Sequence, residues 1–356
     1  MGSSLSYFSD SNSNSNDELC VEQKSDSINI ISERVVDSKT EEKEEKSKIE
    51  YTLSDSLSLE STESLKQKSS YVTTALLLSS KRLITGNSDG KLVIWDLTTR
   101  KIESILHEHK SEITTIKLLS PEKIISASRD SKIFIWNLIT GTIETRLLDH
   151  SGPVTCIDMI TDFTGSYVVS ASEDHTVKIW NLDGLCIKTL MGHNIELGGI
   201  LILPGNKIAS IGNDYSIKIW DFILGTCLQE ITGSGYCWTK LSYGLISSKI
   251  IIGSNNTNKS NSIKIIDTCT GFTEDKQLNA DKNCITKNFC LDSNNIIYTT
   301  SISDNRIRTY DITSGVCLNT IIGTYLISSC NILSPTQILI TDVNNIAEIW
   351  NIKYSF

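Results

Sequence analysis

The sequence predicts an all-β fold, a seven-bladed β-propeller with a disordered N-terminal tail, and three observations carry the prediction. One unit recurs along the chain: residues 170–182 read SASEDHTVKIWNL, 126–138 SASRDSKIFIWNL, 210–222 SIGNDYSIKIWDF and 85–97 TGNSDGKLVIWDL. Weaker copies end at Ile266-Asp267, Tyr310-Asp311 and Trp350-Asn351. The seven anchors, at 95, 136, 180, 220, 266, 310 and 350, stand 40 to 46 residues apart, and a period of that size marks a repeated supersecondary unit. Within each unit the apolar residues alternate with period 2 and are bounded by Gly, Asn, Asp and Ser, with no 3.6-residue stripe long enough for a core helix. Four short strands per unit, repeated radially, make a propeller.

Taken in order, residues 1–47 are rich in Ser, Asn, Glu and Lys and lack the clustered apolar residues that offset the cost of ordering. Met1-Gly2-Ser3-Ser4-Leu5-Ser6 matches the N-myristoylation pattern at Gly2; the plainer reading is an ordinary flexible terminus. A single acyl chain at Gly2 gives only weak membrane association. Residues 48–66 hold two alternating segments, 48–53 and 57–65. From Tyr71 onward each unit runs strand, short turn, strand, polar turn, Trp strand, Gly-containing turn and fourth strand. The chain stops six residues after Trp350, so the seventh sheet lacks a fourth strand. A segment of 48–66 supplies it, and spacing to Val72 favours 57–65. The polar run at 254–261 is a loop insertion in unit five.

Composition narrows the classes of function. No run approaches the roughly 18 apolar residues of a membrane helix, and no basic-then-apolar leader begins the chain; a cytoplasmic protein is expected, with nuclear or peripheral-membrane locations left open. None of the ten cysteines forms a C-x-x-C pair, so no metal site is expected. Cys156, Cys186, Cys227 and Cys317 lie among apolar residues and are read as reduced core thiols. Of the net charge of −9, residues 1–50 contribute 12 acidic and 6 basic side chains. The remainder is near neutral and shows no basic run, so no nucleic acid is expected as a partner.

These residues resemble the WD-repeat (β-transducin-like) family over about 65–356. The resemblance implies a buried relay in which an indole, a hydroxyl, an imidazole and a carboxylate hydrogen-bond in series. Three complete sets match: His109, Ser126, Asp130 and Trp136; His150, Ser170, Asp174 and Trp180; His193, Ser210, Asp214 and Trp220. In each the Asp follows the Ser by four residues and precedes the Trp by six. The donors and acceptors match, since Trp only donates, a carboxylate only accepts, and Ser and His do both. Ser, His and Asp together also invite a hydrolase reading. Recurrence in three units, each time beside a tryptophan, points to structure instead. Unit one keeps Thr85, Asp89 and Trp95 without a histidine, and units five to seven also lack it; the second half is expected to be the less rigid. His107 and His175 fall outside the pattern and are expected at the surface.

The resemblance further implies a face on which the fourth-to-first loops and the second-to-third turns open. Position by position it carries Tyr71, Ser88, Glu112, Arg129, Pro153, Glu173, Glu196 and Asn213, together with Thr73, Thr114, Thr155, Gly198 and Ser303. Trp238 and Tyr236 lie in the same region of unit five; Trp238 is either a partner-binding aromatic or the filler of the core slot that Val154 occupies in unit three. Three glutamates against one arginine favour a basic partner peptide. The expected function is a non-catalytic scaffold or adaptor for proteins or peptides, with no cofactor and no small-molecule substrate. The alternative is a substrate receptor in a ubiquitin-ligase complex, a class that usually carries an N-terminal helical adaptor in place of a tail like residues 1–47.

Overall fold

The computed structural model describes residues 48–58 and 70–355, apart from 215, 233–237, 245–248, 255–261, 268–272, 280–285, 293–294, 302–305, 323–326, 335 and 343–345. The tail at 1–47 with Gly2, the segment 59–69, Tyr236, Ser303 and most of the 254–261 insertion lie outside the described residues.

Every regular element among the described residues is a β-strand, and the strands form a β-propeller of four-stranded antiparallel sheets. Six sheets are contiguous in sequence, spanning residues 72–107, 113–147, 154–191, 197–232, 238–279 and 286–322. A further sheet is composite: the strands Ile327–Ser334, Gln337–Asp342 and Ile346–Ser355 are joined by Lys48–Ser58 at the edge. The edge strand differs from the segment that spacing favours. Residues 48–58 pair with the last strand from Lys48↔Ser355 to Ser58↔Ile346, with one irregularity between Leu53 and Asp55. The strand of eleven residues matches the ten residues of Ile346–Ser355 in length. Pairing also protects an edge that would otherwise be open.

Sheet packing accounts for the burial pattern. In the second strand of the third sheet, Val168, Val169, Ser170 and Ala171 are all fully buried, because each sheet is covered on both faces by its neighbours. The fourth strand has one covered face and keeps the alternation: in Thr142–Leu147, Ile143, Thr145 and Leu147 are less exposed than the residues between them. Each apolar cluster lies between two consecutive sheets. Ile84, Leu92 and Ile94 pack on Ile113, Ile124 and Trp136; Ile125 and Ile135 pack on Val154 and Trp180. The series returns on itself where Leu83, Val93 and Trp95 meet Leu339 and Ile349 of the composite sheet. First strands touch in the same cyclic order.

Two of the threonines expected at the rim hydrogen-bond between sheets. Thr73 Oγ1 donates to the carbonyl of Ile113, and Thr114 Oγ1 donates to Val154 O at 2.9 Å, each reaching the first strand of the next sheet. The cysteines also need correction. Cys227 and Cys317 are exposed, and Cys156 and Cys186 are half-buried. Cys186, Cys227 and Cys317 each begin a fourth strand, where only one face is covered. The buried thiol among the described residues is Cys330.

Candidate interaction face

The relays lie directly under the loops of one face. In the third sheet, Trp180 Nε1 donates to Ser170 Oγ at 2.8 Å, and that oxygen is 2.7 Å from His150 Nε2. His150 Nδ1 is 2.7 Å from Asp174 Oδ2. The ionised carboxylate can only accept, so the imidazole proton sits on Nδ1 and Ser170 donates to Nε2. The second sheet repeats the geometry: Trp136 to Ser126 at 2.8 Å, Ser126 to His109 at 2.8 Å, and His109 to Asp130 at 3.0 Å. So does the fourth, with Trp220 to Ser210 at 2.8 Å, Ser210 to His193 at 2.7 Å and His193 to Asp214 at 3.0 Å.

Charge within the relays follows from burial and partners. Burial raises the Asp174 carboxyl, but hydrogen bonds from His150 and Thr176 outweigh it and hold the group well below the ordinary range. Asp130 and Asp214 are lowered in the same way, against burial, by His109 and by Ser216 and His193 respectively. Burial lowers His193 despite the Asp214 carboxylate, which favours the neutral ring that the relay requires.

Each carboxylate also gathers the loops of the face. Asp174 accepts from Ser151 N at 3.1 Å and Thr176 N at 3.0 Å, tying the incoming loop to the polar turn. Asp130 does the same with Lys110 N and Lys132 N, and Asp214 with Asn194 N and Ser216 N. A relay therefore fixes where its two loops stand. Ser131 and His175 complete two of these turns at φ 70°, and His107 and His175 are exposed.

Eight of the residues carried to the rim come together as four pairs, one per sheet. Ser88 N donates to Tyr71 O at 2.9 Å, Arg129 N to Glu112 O at 2.9 Å, Glu173 N to Pro153 O at 2.8 Å and Asn213 N to Glu196 O at 2.9 Å. Side chains then link the pairs. Arg129 Nη2 meets Glu173 Oε1 at 2.6 Å across the second and third sheets. Partial burial raises the Tyr71 hydroxyl, and Glu112 of the next sheet raises it further. Trp238 stands opposite Ser254 as Val154 stands opposite Ser172, which gives Trp238 the backbone register of the core slot.

Where the histidine is missing the arrangement changes. Trp95 Nε1 still donates to Thr85 Oγ1 at 3.1 Å, but Asp89 pairs with Lys91 Nζ at 2.7 Å. Trp350 Nε1 turns to Glu348 Oε2, 2.9 Å away on its own strand.

Contacts between sheets were the part not read from one unit at a time. Arg129–Glu173 is one, and Lys117–Asp158 at 2.8 Å is another. Asp158 holds the Lys117 ammonium above its ordinary value, although burial opposes it, and also accepts from Ile202 N in the following sheet. The signal available was the period itself, since residues one repeat apart on first strands or turns face each other across a sheet boundary.

Comparison with known proteins agrees with this geometry. The family described as WD domain, G-beta repeat matches residues 100–137 and 141–181. The chain is 40% identical over 62 residues to Nuclear distribution protein PAC1-1 of Uncinocarpus reesii, covering 17% of this chain and 14% of that protein. It is 33% identical over 73 residues to Nuclear distribution protein PAC1 of Gibberella zeae, covering 20% and 16%. With Nuclear distribution protein nudF of Aspergillus niger it shares 29% over 107 residues, covering 28% and 24%. The chain thus spans at most 24% of the length of these three relatives.

Proposed function

Because the chain is a WD-repeat protein, we propose that it is a non-catalytic scaffold, a seven-bladed ring closed by Lys48–Ser58, that binds protein or peptide partners through the rim. One observation carries the absence of catalysis. Ser126, Ser170 and Ser210 are each 0% exposed, and each hydroxyl accepts an indole N–H. A nucleophile must reach its substrate, and these hydroxyls are enclosed on all sides.

The rim chemistry supports a basic partner. Arg129 is paired with Glu173, while Glu112 is half-buried and Glu196 is exposed and accepts from Asn213 Nδ2 at 3.2 Å. A partner presenting Lys or Arg would gain on-rate and orientation from that field. Cytoplasmic residence and weak membrane association through Gly2 belong to this same reading. The role in the relatives' names, nuclear distribution, stays with those proteins, because the matched stretches are shorter than three repeat units. No observation above favours the ubiquitin-ligase receptor.

Affinity capture with mass spectrometry tests the proposal, comparing wild type with a Glu112→Lys, Glu196→Lys variant and with Arg129→Ala. The glutamate variant should lose the captured partners while still melting cooperatively, since neither carboxylate is buried and surface charges contribute only about 0–1 kcal/mol each. Undiminished capture of the same proteins by both variants would contradict a rim-mediated scaffold. Recovery of cullin-type subunits by wild type would favour the receptor instead.

A further inference from the structure

We propose that Cys290 and Cys330 are a peroxide-responsive thiol pair that cross-links the last contiguous sheet to the composite sheet. The two sulfurs are 3.5 Å apart. Cys290 lies on Thr286–Leu291 and Cys330 on Ile327–Ser334, the first strands of neighbouring sheets. They are separated by 40 residues, one repeat, so the fold itself sets one opposite the other. Both pack on the same cluster, which includes Tyr298, Ile338 and Trp350.

The remaining described cysteines have no described sulfur opposite them across a sheet boundary. Cys156 points to the carbonyls of Ile157 and Ile200, and Cys186, Cys227 and Cys317 to those of Lys188, Gln229 and Asn319. Cys290 and Cys330 meet sulfur to sulfur, and a disulfide needs an S–S distance near 2.05 Å. Side-chain rotation with a small shift of one strand closes the remaining gap.

Exposure assigns the order of events. Cys290 is half-buried and Cys330 is 0% exposed, so a small oxidant meets Cys290 first. The Cys290 sulfur attacks hydrogen peroxide: an S–O bond forms, the O–O bond breaks, and the departing hydroxide takes the Cys290 thiol proton as water, giving a sulfenic acid. Cys330 sulfur then attacks Cys290 sulfur. The S–S bond forms, the S–O bond breaks, and the departing hydroxide takes the Cys330 proton as water. Two thiols and one peroxide yield one disulfide and two waters, and a dithiol reductant reverses the change. The bond would tie down the one sheet that is assembled from both ends of the described chain.

Peptide mapping of the full-length chain under non-reducing conditions, before and after hydrogen peroxide, tests this. Cys227 and Cys317, which are exposed, serve as internal references for oxidant access. The expected result is a cross-linked peptide pair containing Cys290 and Cys330, joint loss of alkylation at both, and recovery of both with dithiothreitol. The treated wild type should also melt at a higher temperature, a gain absent in Cys290→Ser. Cys290→Ser keeps the buried Cys330 in place, and the mapping of wild type needs no variant at all. The proposal fails if both thiols remain alkylatable when Cys227 and Cys317 are oxidised. It also fails if Cys290 proceeds to sulfinic acid or pairs with a different cysteine.

Discussion

Ser170→Ala should cost about 2–4 kcal/mol of stability, read as a fall of roughly 3–6 °C in the melting temperature. The hydroxyl is the only group joining Trp180 Nε1 to His150 Nε2. Its removal leaves a buried donor and a buried acceptor without partners, on side chains that are 1% and 6% exposed. Each orphaned group costs on the order of 1–3 kcal/mol, far more than the bond was worth on its own. The second variant, Trp180→Phe in the Ser170→Ala background, removes the orphaned indole donor, and its additional cost should be smaller than that of Trp180→Phe in wild type. A Ser170→Ala protein that melts with wild type would mean that the relay is not a structural unit.

Deleting residues 48–58 should abolish cooperative unfolding, and this is the larger of the two effects. The segment has ten register partners on Ile346–Ser355, and net backbone hydrogen bonds are worth about 0.5–1.5 kcal/mol each. Losing that ladder removes free energy comparable to the whole stability of a typical domain, about 5–15 kcal/mol. It also exposes the edge of the strand carrying Trp350, whose cluster packs against the preceding sheet. Circular dichroism melts of two truncations check this. Removal of residues 1–45 should leave the transition in place, and removal of 48–58 should replace it with a broad, concentration-dependent loss of signal. A sharp transition in the second protein would show that the composite sheet is complete without its edge strand.

The relays were legible in the sequence because their geometry is local. A Ser four residues before an Asp, and a Trp six after, place three of the four members within one hairpin, and the histidine enters from the loop that the Asp caps. The edge strand was less legible. Residues 57–65 alternate as well as 48–58 do, and spacing to Val72 says nothing about which segment can match a ten-residue partner. The cysteines at 227 and 317 were misread because a fourth strand has the same composition as an inner one, and only packing tells which face is covered. Contacts across sheets were the least legible. Arg129 gives no sign of Glu173, nor Lys117 of Asp158, until the repeat is used as a coordinate that sets residues about one period apart side by side.

The most direct test of the account is the exchange rate of indole N–H protons in the native protein, measured by NMR. Trp136, Trp180 and Trp220 each donate into a complete relay, whereas Trp350 donates to a lone carboxylate on its own strand. The first three should exchange far more slowly than Trp350 and only through opening of their sheets. Exchange at Trp136, Trp180 and Trp220 as fast as at Trp350 would contradict the claim that buried relays hold the loops above them in place.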